Sequence, residues 1–72
     1  MNITLISSRE DKKWLRDVHL PRLKSGQYGV AILYGNEDAP NRIEVFPRGA
    51  RHGDKPTQVW TRDDRIDGMV LQ

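Results

Sequence analysis

The sequence contains no cysteine, which excludes disulfide staples and thiolate metal ligands. A secreted mini-protein of 72 residues would ordinarily need such staples, so the expected setting is the cytoplasm. Long apolar runs are missing as well: nothing approaches the roughly 18 residues that a membrane-crossing helix requires. The first six residues hold four apolar side chains and then meet charge, which is not the pattern of a signal peptide. Charge of one sign is also lacking. Twelve Lys and Arg stand against ten Asp and Glu, a net charge of +2. That balance excludes a histone-like polycation, though not a local basic patch. Only two histidines occur, so a transition-metal site would need both together with carboxylates. No ligand pair stands at metal spacing.

What is present suffices for one thin core. At 36% hydrophobic residues, a chain this short is expected to form a single globular domain over 1–72. Domains of this size bury only about 60% of the surface the unfolded chain exposes. Extra burial is therefore expected from a partner, either a second copy in a homodimer or another protein. No internal repeat or low-complexity tract interrupts the chain.

The elements follow from periodicity and punctuation. Asn2 to Ile6 is β-rich, with Ile3 and Leu5 on one face and Ile6 on the other. Ser7 stands three residues before Glu10, the spacing of a capping box. A helix is predicted over about 8–24, with Trp14, Leu15 and Val18 on its apolar face. Leu20-Pro21 must break or kink it, or end it near His19, because proline lacks the donor and disfavours α geometry before it. Gly26 suits a C-cap for the longer version.

Tyr28 to Tyr34 is the strongest strand. Tyr28, Val30, Ile32 and Tyr34 face one way, with Ala31 and Leu33 on the other side. Apolar residues on both faces predict a central strand. Gly35 to Asn41 is loop chemistry, and Arg42 to Phe46 pairs with the preceding strand as a hairpin. Strands are also expected over Thr57–Thr61 and Met69–Leu71. The predicted fold is α+β: one N-terminal helix packed on a small, mainly antiparallel sheet of three to five strands, in the order β-α-β-β-β with room for one further strand at the C-terminus. Its predicted core is Ile3, Leu5, Trp14, Leu15, Val18, Val30, Ile32, Ile43, Val45 and Val59.

Charge is uneven along this frame. Residues 1–25 carry +3, 26–47 carry −2, 48–55 carry +2 and 56–72 carry −1. The basic loop from Arg48 to Lys55 alternates cations with glycines, so its amides could form a nest for an anion. Arginine would add bidentate phosphate geometry. It is not a phosphate loop of the nucleotide-binding kind, because the Gly-Lys-Ser/Thr ending is missing. The acidic run Asp63 to Gly68 lacks the ligand spacing of a calcium loop and reads as a polar turn closed by Gly68.

Three functions fit these residues. The leading expectation is a small non-catalytic binding protein that regulates or inhibits a larger protein or complex by occupying its surface. The alternative is a nucleic-acid binder using Arg48, Arg51 and Lys55, joined by the helix cations Lys12, Lys13 and Arg16. The second alternative is a small ribonuclease centred on His52, with the neighbouring cations stabilising phosphate charge. A polar glycine-rich loop is a poor frame for catalysis, so no enzyme activity is expected. No cofactor, metal or membrane partner is expected either. The candidate contact residues are Arg48, Arg51, His52 and Lys55, with Tyr28, Tyr34 and Trp60 wherever the sheet is left uncovered.

Overall fold

Ser8 starts the helix. In the computed structural model, which describes residues 2–24 and 26–72, its side chain accepts a 3.0 Å hydrogen bond from the Asp11 amide. The cap therefore lies one residue beyond the predicted Ser7, and Asp11 takes the third helical position that Glu10 was expected to hold. Helix α1 runs Arg9–Val18 and ends at His19, whose amide donates to the Leu15 carbonyl. Pro21 does not kink a longer helix but turns the chain. Leu20 to Leu23 form a tight turn, closed by a 2.9 Å bond from the Leu23 amide to the Leu20 carbonyl. Proline at the second position of such a turn supplies the required φ.

Five strands accompany the helix: β1 (Ile3–Ile6), β2 (Val30–Gly35), β3 (Pro40–Phe46), β4 (Gln58–Asp63) and β5 (Gly68–Leu71). They form one sheet in which spatial order follows chain order, every neighbour antiparallel. The helix is inserted in the connection from β1 to β2. This is the predicted α+β architecture at the upper end of its strand count. Strand β2 begins at Val30, because the Gly29 amide and the 47–48 backbone close the corner before it. Gly35, at φ 98°, takes a register shift beside Tyr34 that a residue with a Cβ would rarely accept.

The helix and the Leu20–Leu23 turn cover one sheet face only. Ile6, Ala31, Leu33, Ile43, Val45 and Trp60 point into that side and join Leu15, Leu20, Leu23 and Tyr28 in the core. Of the predicted core, Leu15, Ile43 and Val45 are buried, and Trp14 packs at the margin. The phase of the first two strands is the reverse of expectation. Ile3 and Leu5 are 63% and 60% exposed, and Val30 and Ile32 lie on the same outer face. Ile6 stands opposite Ala31 on the covered face, which puts Ile3 and Leu5 opposite Tyr34 and Ile32 on the other. A one-residue change of phase moves every side chain of a strand to the other face. Val59 likewise faces outward while Trp60 faces the core, and Val18 is 57% exposed at the end of the helix.

Candidate functional site

Two surfaces emerge from this layering, one on the helix side and one on the bare side of the sheet. On the helix side, Arg9, Lys12, Lys13 and Arg16 fall at positions i, i+3, i+4 and i+7 of α1 and share one flank. Arg48, far away in sequence, joins them. All five line a hollow of about 470 Å³ whose other walls are Gly26 and Tyr28, with no carboxylate among its lining residues. The Lys12 ammonium lies 5.4 Å from the centre of the Tyr28 ring, and the Tyr28 hydroxyl donates to the Lys12 carbonyl at 3.4 Å. Burial raises the Tyr28 pKa above 10.0, an effect that Arg16 opposes. Arg16 makes a 3.6 Å contact with Asp17, whereas Arg9, Lys12, Lys13 and Arg48 enter no ion pair among the described residues.

Gly29 is what brings Arg48 there. A Cβ at Gly29 would lie 2.9 Å from both the Arg48 Cα and the Pro47 carbonyl oxygen. The Gly29 amide donates to the Phe46 carbonyl at 2.9 Å, fixing the same crossing. Gly29→Ala should push the 47–48 backbone away and cost about 1–3 kcal/mol of stability, as overpacking does. Urea unfolding of the variant checks this; a loss within a few tenths of a kcal/mol would show that the crossing is slack.

The remainder of the predicted basic site disperses. Arg51, His52 and Lys55 stay exposed on the loop, and Arg51 and His52 lie beside Val30, Ile32 and Phe46. The expected anion nest is filled from within: the Arg51 amide donates at 2.7 Å to the Asp54 carboxylate. Asp54 therefore takes the place an external anion would need. The acidic turn is also self-satisfied, because Asp63 receives Arg65 in a two-pronged pair at 3.0 Å. That pair lowers the Asp63 pKa. Asp67, rather than Gly68, adopts the left-handed backbone of this turn, at φ 50°.

The aromatic candidates part company. Tyr28 and Trp60 are 3% and 7% exposed and belong to the core, so neither contributes to an open sheet face. Tyr34 does face the bare side. Its hydroxyl donates to Glu44, which raises the Tyr34 pKa, and Arg42 pairs with the same carboxylate at 3.2 Å. Around this satisfied polar group the face carries apolar side chains, with the 50–54 loop beside Val30, Ile32 and Phe46. Ile3 and Leu5 stand opposite Tyr34 and Ile32, Val30 opposite Phe46, and Val59 opposite Glu44. The sequence signal for this surface is the strand from Tyr28 to Tyr34, whose apolar residues on both faces predict a central strand without saying which face is covered.

His19, which the sequence offers only as half of a two-histidine metal set, lies at the end of the helix. Its buried Nε2 has no hydrogen-bond partner among the described residues, and Trp14 packs edge-on against its ring. Burial pushes its pKa below 6.5, and Arg62 adds to the shift, against the Glu37 carbonyl and the Asp38 carboxylate. The adjoining hollow, about 260 Å³, is lined by Asp38, Arg62 and Asp67 but offers no hydroxyl or thiol nucleophile. Arg62 is engaged structurally, donating from Nε to the Pro40 carbonyl at 2.9 Å and lying 3.7 Å from Asp67.

Because the folded chain holds fewer protons at His19 than the unfolded chain, stability present above the ordinary value of 6.5 declines as pH falls below it. The loss ends at the depressed folded value. The urea midpoint should therefore fall modestly between about pH 7 and pH 5, and His19→Gln should flatten that fall. An unchanged slope in the variant would assign the dependence to other groups.

Among the described residues, no group of three or more His, Asp or Glu is placed to hold a metal ion, and no helix is long and apolar enough to cross a membrane. Compared with known protein families, curated proteins and solved structures, the chain matches none. The fold and its surfaces must carry the functional reading by themselves.

Proposed function

We propose that this is a small non-catalytic binding protein that regulates a larger protein by occupying part of its surface through the bare face of the sheet. The observation that carries the reading is the exposure of Ile3 and Leu5, 63% and 60%, on a face continued by Ile32 and Val59. A chain of 72 residues with so thin a core gains nothing for its own stability from apolar side chains left in water. Contiguous apolar surface of this kind marks a contact site. The chemistry of the face also selects its occupant. Its central ion pair, Arg42 with Glu44, is satisfied internally and further capped by Tyr34, so the partner supplies mainly apolar surface, with Arg51 and His52 beside Val30 and Ile32 at one side.

The test uses Ile3→Ser/Leu5→Ser, which removes apolar area without adding charge and leaves the core intact. Size-exclusion of the tagged chain from nuclease-treated native host extract should place the wild type in a species well above 8.3 kDa. The double variant should elute at the monomer mass. Three outcomes overturn the reading: a monomeric wild type, a high-mass species that appears only when the nuclease is omitted, or a purified chain that forms a dimer of itself and carries no other protein.

A further inference from the structure

The five cations of the helix-side hollow are not explained by docking through the opposite face. Four of them form a continuous row on α1, where like charges at three- and four-residue spacing repel by about 0.2–0.5 kcal/mol per pair. The fold then adds a fifth, Arg48, by a backbone crossing that only glycine at position 29 permits. No acidic side chain lines the hollow to offset them. A solvated charged flank would not need a distant loop brought against it. The chain concentrates positive charge here while remaining near neutral as a whole.

We infer that this hollow grips the sugar–phosphate backbone of a nucleic acid, holding successive phosphates without reading the bases. The row from Arg9 to Arg16 extends over roughly 10 Å at the helical rise of 1.5 Å per residue. A single phosphate would use one end of such a row; a chain of phosphates uses its length. Three of the five cations are arginines, whose planar fork matches phosphate oxygens two at a time. The aromatic ring at the base of the hollow offers no stacking platform, because Tyr28 is buried and lies beneath the Lys12 ammonium. Base stacking and edge recognition are therefore absent from the site, and contact is electrostatic. Arg51 and Lys55 take no part, since they project from the far part of the loop and do not line this hollow.

Fluorescence anisotropy of labelled 20-nucleotide single-stranded DNA, duplex DNA and duplex RNA with the purified full chain tests this directly. The design needs no protein partner, so it stands or falls separately from docking through the bare face. Binding is expected at low salt, with little dependence on base sequence. For duplex DNA, three to five phosphate contacts predict a slope of log affinity against log salt of about −3 to −4.5. Lys12→Ala/Arg16→Ala/Arg48→Ala should weaken binding by more than about tenfold at 50 mM salt and flatten that slope by two to three. Arg51→Ala/Lys55→Ala should change affinity by less than about twofold, and Ile3→Ser/Leu5→Ser should leave it unaltered.

Circular dichroism confirms folding of each variant. Should the triple variant unfold, Arg9→Ala/Lys13→Ala provides an independent reduction of the row, with a slope flattened by about two. The inference is overturned by absence of binding at 50 mM salt. It is equally overturned if the loop pair matters as much as the hollow variants, or if poly-glutamate of equal length binds as tightly as the oligonucleotides. Preference among the three nucleic acids then identifies which backbone geometry the row accepts.

Discussion

Trp60→Ala should lower the free energy of unfolding by about 3–5 kcal/mol, the range for removing a buried aromatic side chain. Trp60 lies on the covered face of β4, opposite the fully buried Ile43 on β3 and opposite Leu71 on β5. Its indole N–H donates to the Gln58 side-chain oxygen at 3.2 Å, so truncation removes packing and frees only that half-buried acceptor, which water can reach. Small domains have total stabilities of about 0.05–0.15 kcal/mol per residue, which makes this loss comparable with the whole. Urea unfolding followed by circular dichroism measures it. Trp60→Phe should recover much of the loss, because it refills most of the volume. A variant that stayed as stable as the wild type would contradict the core position and return Trp60 to a surface role.

Leu20→Ala/Leu23→Ala should leave the chain largely unfolded at 25 °C. Both leucines are buried in the turn that follows the helix, and each truncation in such a position costs about 2–5 kcal/mol. The two side chains share one cluster, so their effects need not add, yet even the lower bounds approach the stability of a domain this size. The single variants should fold with lowered midpoints. By contrast, Leu5→Ser on the bare face should shift the midpoint little, since Leu5 is already 60% exposed. The contrast between two leucines in a turn and one in a strand measures which layer builds the core. Equal effects of all three would contradict the one-sided sheet.

Much of this architecture is legible from residue order. The strand at 30–35 announces itself by β-branched and aromatic content, and Pro47 closes its partner strand after Phe46. Of the three residues the helical pattern places inward, Leu15 is completely buried, Trp14 packs at the margin and Val18 is left exposed. The site was legible only in fragments. Lys12, Lys13, Arg16 and Arg48 could each be named as cations, but Arg9 carried no separate signal. Nothing in the spacing shows that position 48 returns to the helix while 51 and 55 do not. That difference arises from a turn inside the loop, where Asp54 captures the Arg51 amide.

Residue order by itself determined the class of fold, the number of substantial helices and the near-neutral, cysteine-free surface, because these depend on local period, punctuation and composition. Tertiary structure decided which face of each strand is inside. A strand with apolar residues on both sides has no local preference, and the choice falls to the layer that covers it. Here that layer is a short helix and a proline turn, whose Leu15, Leu20 and Leu23 meet Ala31 and Leu33. Once that face was taken, Ile3, Leu5 and Ile32 were left outside. The same packing carried Arg48 across Gly29 to the cations of the helix. Both candidate surfaces therefore follow from one choice of buried face, made by contacts between residues distant in the chain.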